Sequence, residues 1–176
     1  MKTNITSITG LLLAVLIGTA YAGHIELKPT GFLPYRQAAN KPISGGAFKF
    51  DVTQIPDDCS IDLAELSIKI NSDTSIGKSF DFFVNVATSE WTSSPFASTT
   101  KPESPDSLLI GSFAVSGDGV PVEVNVTKLV KLWHSGKLAN NGFVISIPGD
   151  GKKAFAVASK GGEVEVSLSV FFSKKE

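Results

Sequence analysis

Residues Val122-Glu123-Val124-Asn125-Val126-Thr127-Lys128-Leu129-Val130-Lys131-Leu132-Trp133-His134-Ser135-Gly136 run directly into Lys137-Leu138-Ala139-Asn140-Asn141-Gly142-Phe143-Val144-Ile145-Ser146-Ile147. Val122, Val124 and Val126 alternate with polar residues, the period of a strand with one buried face. Leu129, Leu132 and Trp133 follow at i, i+3 and i+4, so a helix over about 128–135 gathers them on one stripe. Thr127 stands where a cap is expected and Gly136 where a helix stops. Asn140-Asn141-Gly142 then turns the chain into a second apolar strand. So short a helix is marginal alone. Trp133 must therefore be buried against something larger, and pin the helix across it.

Strand patterns supply that larger body. Outward from this unit, apolar runs lie at Ala47–Val52, Ile61–Ile70, Phe80–Val86, Leu108–Val115, Val120–Val126, Phe143–Ile147, Ala154–Ala158 and Glu163–Phe172. Turn residues separate them at regular intervals, as in two-layered β proteins. Within Ile61–Ile70 the phase changes between Leu63 and Leu66, which predicts a β-bulge at Ala64-Glu65. In the last strand Val164, Val166, Leu168, Val170 and Phe172 share one face, each worth about 1.5–3 kcal/mol when buried. Fixing the backbone costs about 1–2 kcal/mol per residue, so this strand needs both lateral pairing and a facing sheet. Glu163, Glu165, Ser167 and Ser169 turn the other way and are expected to meet water. The fold expected is all-β: a single jelly-roll-like antiparallel β-sandwich with one short helix. Thr88–Asp106, rich in Ser, Thr and Pro, reads as a long surface loop.

The ends bound the compartment. Lys2, the apolar run Leu11–Ile17 and Ala20-Tyr21-Ala22 predict a signal peptide over 1–22, and hence export without a membrane anchor. Residues 23–46 read as an extended arm or first strand, and 47–176 as the sandwich domain. In the arm, His24-Ile25-Glu26-Leu27-Lys28 alternates, whereas Pro29, Gly31, Pro34 and Pro42 are expected to keep the rest out of a regular sheet. Formal charge is −1 and Arg36 is the sole arginine, so the basic face of a nucleic-acid binder is absent. Cys59 is the one cysteine; an internal disulfide is excluded, leaving a small buried residue or an intermolecular bridge.

Catalytic patterns are missing. The sequence has no nucleophile elbow, metalloprotease helix or P-loop, and its two histidines, His24 and His134, sit at the expected mature N-terminus and near a helix end. No catalytic residue is assigned, and no cofactor is expected beyond calcium. Asp118 in Gly117-Asp118-Gly119 and Asp150 in Gly149-Asp150-Gly151 are the calcium candidates, each a single carboxylate where calcium takes six or more oxygens; plain hairpin turns explain both. For a ligand, the candidates are Trp91 with Glu90, and Tyr35 with Arg36. An exposed ring beside polar groups stacks on sugars, but the same Trp91 can instead plug its loop onto the core. Asn125-Val126-Thr127 is a formal glycosylation sequon.

Two blocks carry a family resemblance. The first is Phe48-Lys49-Phe50-Asp51-Val52, Ile55-Pro56-Asp57-Asp58 and Ile61-Asp62-Leu63-Ala64-Glu65-Leu66. The second is Val126-Thr127, Val130, Trp133, Gly136 and Asn140-Asn141-Gly142-Phe143. Together they resemble the DNRLRE-type domain, a secreted β-sandwich of the carbohydrate-binding-module kind, and more distantly the propeptides of growth factors of the TGF-β type. The resemblance implies a non-catalytic module binding extracellular polysaccharide, alginate or another acidic glycan included. Thr127, Trp133 and Gly136 are structural by the capping and burial arguments above. A different class stays open: a structural subunit of a fibre, biofilm or surface matrix, self-associating by donating its N-terminal arm to a neighbour's sheet edge.

Overall fold

The computed structural model describes residues 22–36, 43–71, 80–96, 98–104, 106–115, 119–146 and 163–175. Alternating burial along these segments resolves into two antiparallel sheets, the all-β sandwich expected. The strands are β1 (Ala22–Leu27), β2 (Pro29–Arg36), β3 (Ile43–Phe50), β4 (Cys59–Asn71), β5 (Phe80–Val86), β6 (Leu109–Val115), β7 (Val122–Asn125), β8 (Phe143–Ser146) and β9 (Glu163–Lys174). One helix, α1 (Thr127–His134), joins β7 to β8. A four-stranded sheet runs β1-β9-β4-β7, and a five-stranded sheet β2-β3-β8-β5-β6. Residues 1–21 of the signal-peptide segment, the Ala154–Ala158 strand and both calcium candidates, Asp118 and Asp150, lie outside the described residues.

The core between the sheets follows from period two. Val166, Leu168, Val170 and Phe172 of β9 face Phe48, Phe50, Phe82, Val84, Phe143 and Ile145 of the other sheet in one continuous cluster. In β4 the phase changes earlier than the sequence suggested. The register step lies between Ile61 and Leu63, leaving Asp62 as the extra residue, not at Ala64-Glu65. The reason is tertiary. Ala64 is fully buried, its N–H donates to Thr127 Oγ1 at 2.9 Å, and its carbonyl accepts from Val126 N at 2.9 Å. It must therefore already be in the inward phase.

The same contact corrects the role of Thr127. It makes no side-chain cap on α1; Asn125 Oδ1 instead accepts from Thr127 N at 3.1 Å. The Thr127 hydroxyl is spent on β4, joining the two sequence blocks in space. Trp133 is buried and meets Phe143 edge-on, with centroids 4.9 Å apart. At the other end of α1, Gly136 adopts φ +68°, with Lys137 N donating to Leu132 O and Gly136 N to Trp133 O, a Schellman stop. His134 is held by neighbours as well as by the helix end: Nε2–H donates to Ile55 O at 3.2 Å.

Residues 22–36 pair within this sandwich. β1 runs antiparallel along β9 from Ala22–Ser173 to Leu27–Leu168, and β2 along β3. The prolines thus do not exclude the arm from regular sheet. Pro29 and Pro34 lie on β2, an edge strand, where a missing N–H removes no ladder bond on the outer side.

Gly142 tests how tightly the turn into β8 is built. Its φ is +81°, and a Cβ there would strike the Phe48 carbonyl oxygen, whereas a Cβ on Gly136 meets nothing within 4 Å. Gly136→Ala is expected to cost about 1 kcal/mol, from its left-handed backbone alone. Gly142→Ala adds a backbone clash and should cost about 3 kcal/mol or more. Urea denaturation of the two variants checks this, and equal midpoints would refute the close approach of Gly142 to the Phe48 carbonyl.

Candidate functional site

The Ser/Thr/Pro-rich segment following β5 is a strap over the outer face of the five-stranded sheet. Thr88 N donates to Glu103 O and Asn85 Nδ2 to Ser104 O. Further on, Ser94 N donates to Phe32 O, Ser98 N to Pro34 O and Arg36 N to Ser98 O, so the strap also covers the free edge of β2. Leu33, Tyr35, Ala47, Ala87 and Val144 form a second small core beneath it, with Trp91 packed against them.

This placement decides what the sequence-derived ligand residues can do. Trp91 is half-buried and its Nε1–H donates to Asn141 O at 2.7 Å, so the ring plugs the strap onto the Asn-Asn-Gly turn. Tyr35 is 5% exposed and its hydroxyl donates to Ile145 O at 3.3 Å. It has no open ring face for a sugar, because the strap that defines its surroundings buries it. Glu90 beside Trp91 is exposed, and Arg36 is half-buried with its backbone tied to the strap. These four therefore do not form one open constellation. What the strap does display is Phe96, 81% exposed, in a turn where Ser94 Oγ accepts from Phe96 N and donates to its carbonyl. Sequence reading passed over it as one of many phenylalanines.

The outer face of the four-stranded sheet is different: no described segment crosses it. Beyond the row Ala22, Ser173 and Ser60, its register lays outward residues in four rungs, about 6.8 Å apart along the strands. His24 on β1, Phe171 on β9 and Leu63 on β4 make the first. Glu26, Ser169, Glu65 and Asn125 make the second. Ser167, Ser67 and Glu123 make the third, and Glu165 with Lys69 the fourth. His24 and Phe171 are stacked, with centroids 4.4 Å apart and planes at 24°, and Phe171 is 39% exposed. The bulge at Asp62 matters here, because the phase change turns Leu63 outward beside Phe171. A stacked aromatic pair followed by rows of hydroxyl, carboxylate and amide groups is suited to a chain ligand bearing both apolar faces and hydroxyls.

Electrostatics sharpen the description. The Lys28 ammonium bonded to Glu26 holds that carboxyl below its ordinary range, with a smaller contribution from Ser167. Thr53, donating through both its hydroxyl and its N–H, does the same for Asp51. Burial pushes the Cys59 thiol up; at 3% exposure inside the core, it is not presented for an intermolecular disulfide. Burial pushes Tyr35 up to about 12, against a smaller opposing effect of Ser146. Beside α1 lies a groove of about 260 Å³ lined by Ile110, Asn125, Val126, Lys128, Leu129 and Leu132. Its walls are mainly aliphatic and hold no acid–base pair. Among the described residues no group of three or more His, Cys, Asp or Glu side chains is placed to hold a metal ion, and no helix is long and apolar enough to cross a membrane.

For Tyr35 the fold favours the neutral phenol, so its contribution is complete below the unfolded value near pH 10 and is lost as pH rises towards about 12. With Tyr21→Phe removing the second of the two tyrosines, phenolate absorbance should appear only with alkaline unfolding. A free-tyrosine titration in the folded protein would contradict this burial.

A family model described as carbohydrate-binding module family 96 matches residues 38–171. The match spans β3 to β9 and supports the carbohydrate-binding-module class, without itself carrying the DNRLRE name or the propeptide likeness. Comparison with curated proteins gave no match.

Proposed function

The chain belongs to carbohydrate-binding module family 96, and we propose that it is an exported, non-catalytic module that holds polysaccharide on the outer face of its four-stranded sheet. The family match carries the carbohydrate class. Members of such modules are generally non-catalytic. The choice of face rests on the stacked His24–Phe171 pair opening onto uncovered polar rungs. Export rests on the leader-like residues 1–22. The finer resemblance to DNRLRE-type domains is compatible with this reading, since the residues that carry it are spent on architecture: Thr127, Trp133 and Gly136 on α1, Asn140-Asn141-Gly142 on the turn.

The assembly reading, a fibre or matrix subunit, needs residues 23–46 to leave their own sheet. From Gly23 to Leu27, β1 has five paired positions on β9 that a neighbour would have to reproduce, making exchange a strand swap between equivalent sites. Size analysis at high concentration separates the two: a monomer supports the module, a concentration-dependent polymer abolished by removing residues 23–27 supports assembly.

Affinity electrophoresis through gels containing neutral and acidic polysaccharides tests the binding reading. Retardation on at least one glycan is expected. Phe171→Ala should weaken it about three- to tenfold, the worth of one aromatic contact, with the melting temperature little changed. Phe96→Ala should leave it unchanged, and Trp91→Ala should act on stability by freeing the strap. Migration unaltered by every glycan would remove the proposal; loss in Phe96→Ala with full retention in Phe171→Ala would move the site to the strap.

A further inference from the structure

We infer that the groove between α1 and β6 is a binding site for a short alkyl chain ended by an anionic head, such as a medium-chain carboxylate. It lies where β6 and β7, edge strands of the two sheets, approach each other. Of the residues lining it, only Asn125 also stands on the outer face of the four-stranded sheet. Leu129 and Leu132 of α1 form one wall, Val126 lies at the base of the helix, and Ile110 closes the β6 side. A bulge puts Ile110 there. Val84 pairs with Gly111 and Asn85 with Leu109, leaving Ile110 as the extra residue, packed against the core; such bulges re-aim a side chain. The groove measures about 260 Å³. At roughly one water volume, ~30 Å³, per methylene, that is room for about eight carbons. The described lining holds no aromatic ring on which a sugar or an aromatic ligand could stack, so an alkyl chain is the better match.

The polar residues of the lining set the head group. They are Lys128 and Asn125, both exposed. Asn125 Oδ1 already accepts from Thr127 N, which leaves its Nδ2 as a donor. Lys128 forms no ion pair among the described residues, and the first turn of α1 carries no acidic side chain. Glu65, opposite Asn125, and Glu123, two residues before it, belong to the outer face and do not line the groove. The groove therefore offers an ammonium and an amide N–H beside an aliphatic channel. A carboxylate only accepts hydrogen bonds and carries the opposite charge, so it satisfies both donors. A neutral amide head loses the charge-assisted bond, and an ammonium head meets a like charge.

The full exported chain, labelled with nitrogen-15, is titrated near neutral pH, where carboxylates are ionised, with octanoate, octanamide and octylammonium below their micelle-forming concentrations. Octanoate should shift the backbone amide signals of Ile110, Leu129 and Leu132 saturably. Octanamide should bind about threefold more weakly and octylammonium about tenfold more weakly. Hexanoate should bind about tenfold more weakly than octanoate, since each methylene withdrawn from the groove is worth about fourfold. Lys128→Gln, on an exposed side chain, should bring octanoate down to the level of octanamide and leave octanamide itself unchanged. Leu132→Phe, filling the groove, should abolish binding of octanoate, with an unchanged melting temperature confirming the fold. Equal affinity for the carboxylate, amide and ammonium heads would overturn the anionic class. Saturation with Ile110, Leu129 and Leu132 unmoved would overturn the site. No saturable response to octanoate would overturn the inference outright. Polysaccharide retardation of the same variants is read separately, and none of these outcomes bears on it.

Discussion

The burial of Trp133 against Phe143 is the contact on which the rest of the structure depends. A two-turn helix has too few internal hydrogen bonds to offset its ordering entropy. Docked at one end through Thr127 onto Ala64 and at the other through its indole onto β8, α1 becomes a strut joining the two sheets. Residues on both sides then have their positions fixed. Val126 N donates to Ala64 O on one sheet, while the Schellman stop at Gly136 leads to the Asn-Asn-Gly turn on the other. Asn140 Nδ2 donates to Phe50 O at 2.7 Å, and Gly142 O accepts from Ala87 N at 2.9 Å.

From that turn the consequences spread to the outer face of the five-stranded sheet. Asn141 O receives the Trp91 indole N–H, which draws the strap down over Tyr35 and Leu33 and closes the edge of β2. A covered edge does not template further strands. The five-stranded sheet is thus occupied on much of its outer side, whereas no described segment crosses the outer face of the four-stranded sheet.

Sequence reasoning identified the strands because period-two alternation is a local consequence of having one wet and one dry face. It also found the helix, its stop and the need to bury Trp133. It misplaced the β4 bulge by about two residues, since Ala64 is too small to declare its phase; only its contact with Thr127 does so. It expected the arm from Pro29 onward to stay out of regular sheet because prolines argue against central strands, whereas β2 is an edge. The ligand residues fared differently. Trp91 and Tyr35 are aromatics in polar surroundings, and no local pattern distinguishes a ring facing water from one under a strap. Phe171 looked like its neighbour Phe172, yet the two point to opposite faces.

What the chain determined alone was the class of fold and the strut, because these depend on spacing and residue type within short windows. Tertiary structure decided which of the described aromatic rings are covered and which residues share the outer face of each sheet. Those properties depend on register between strands far apart in sequence: His24 meets Phe171, and Glu65 meets Asn125, only after β1, β9, β4 and β7 have aligned.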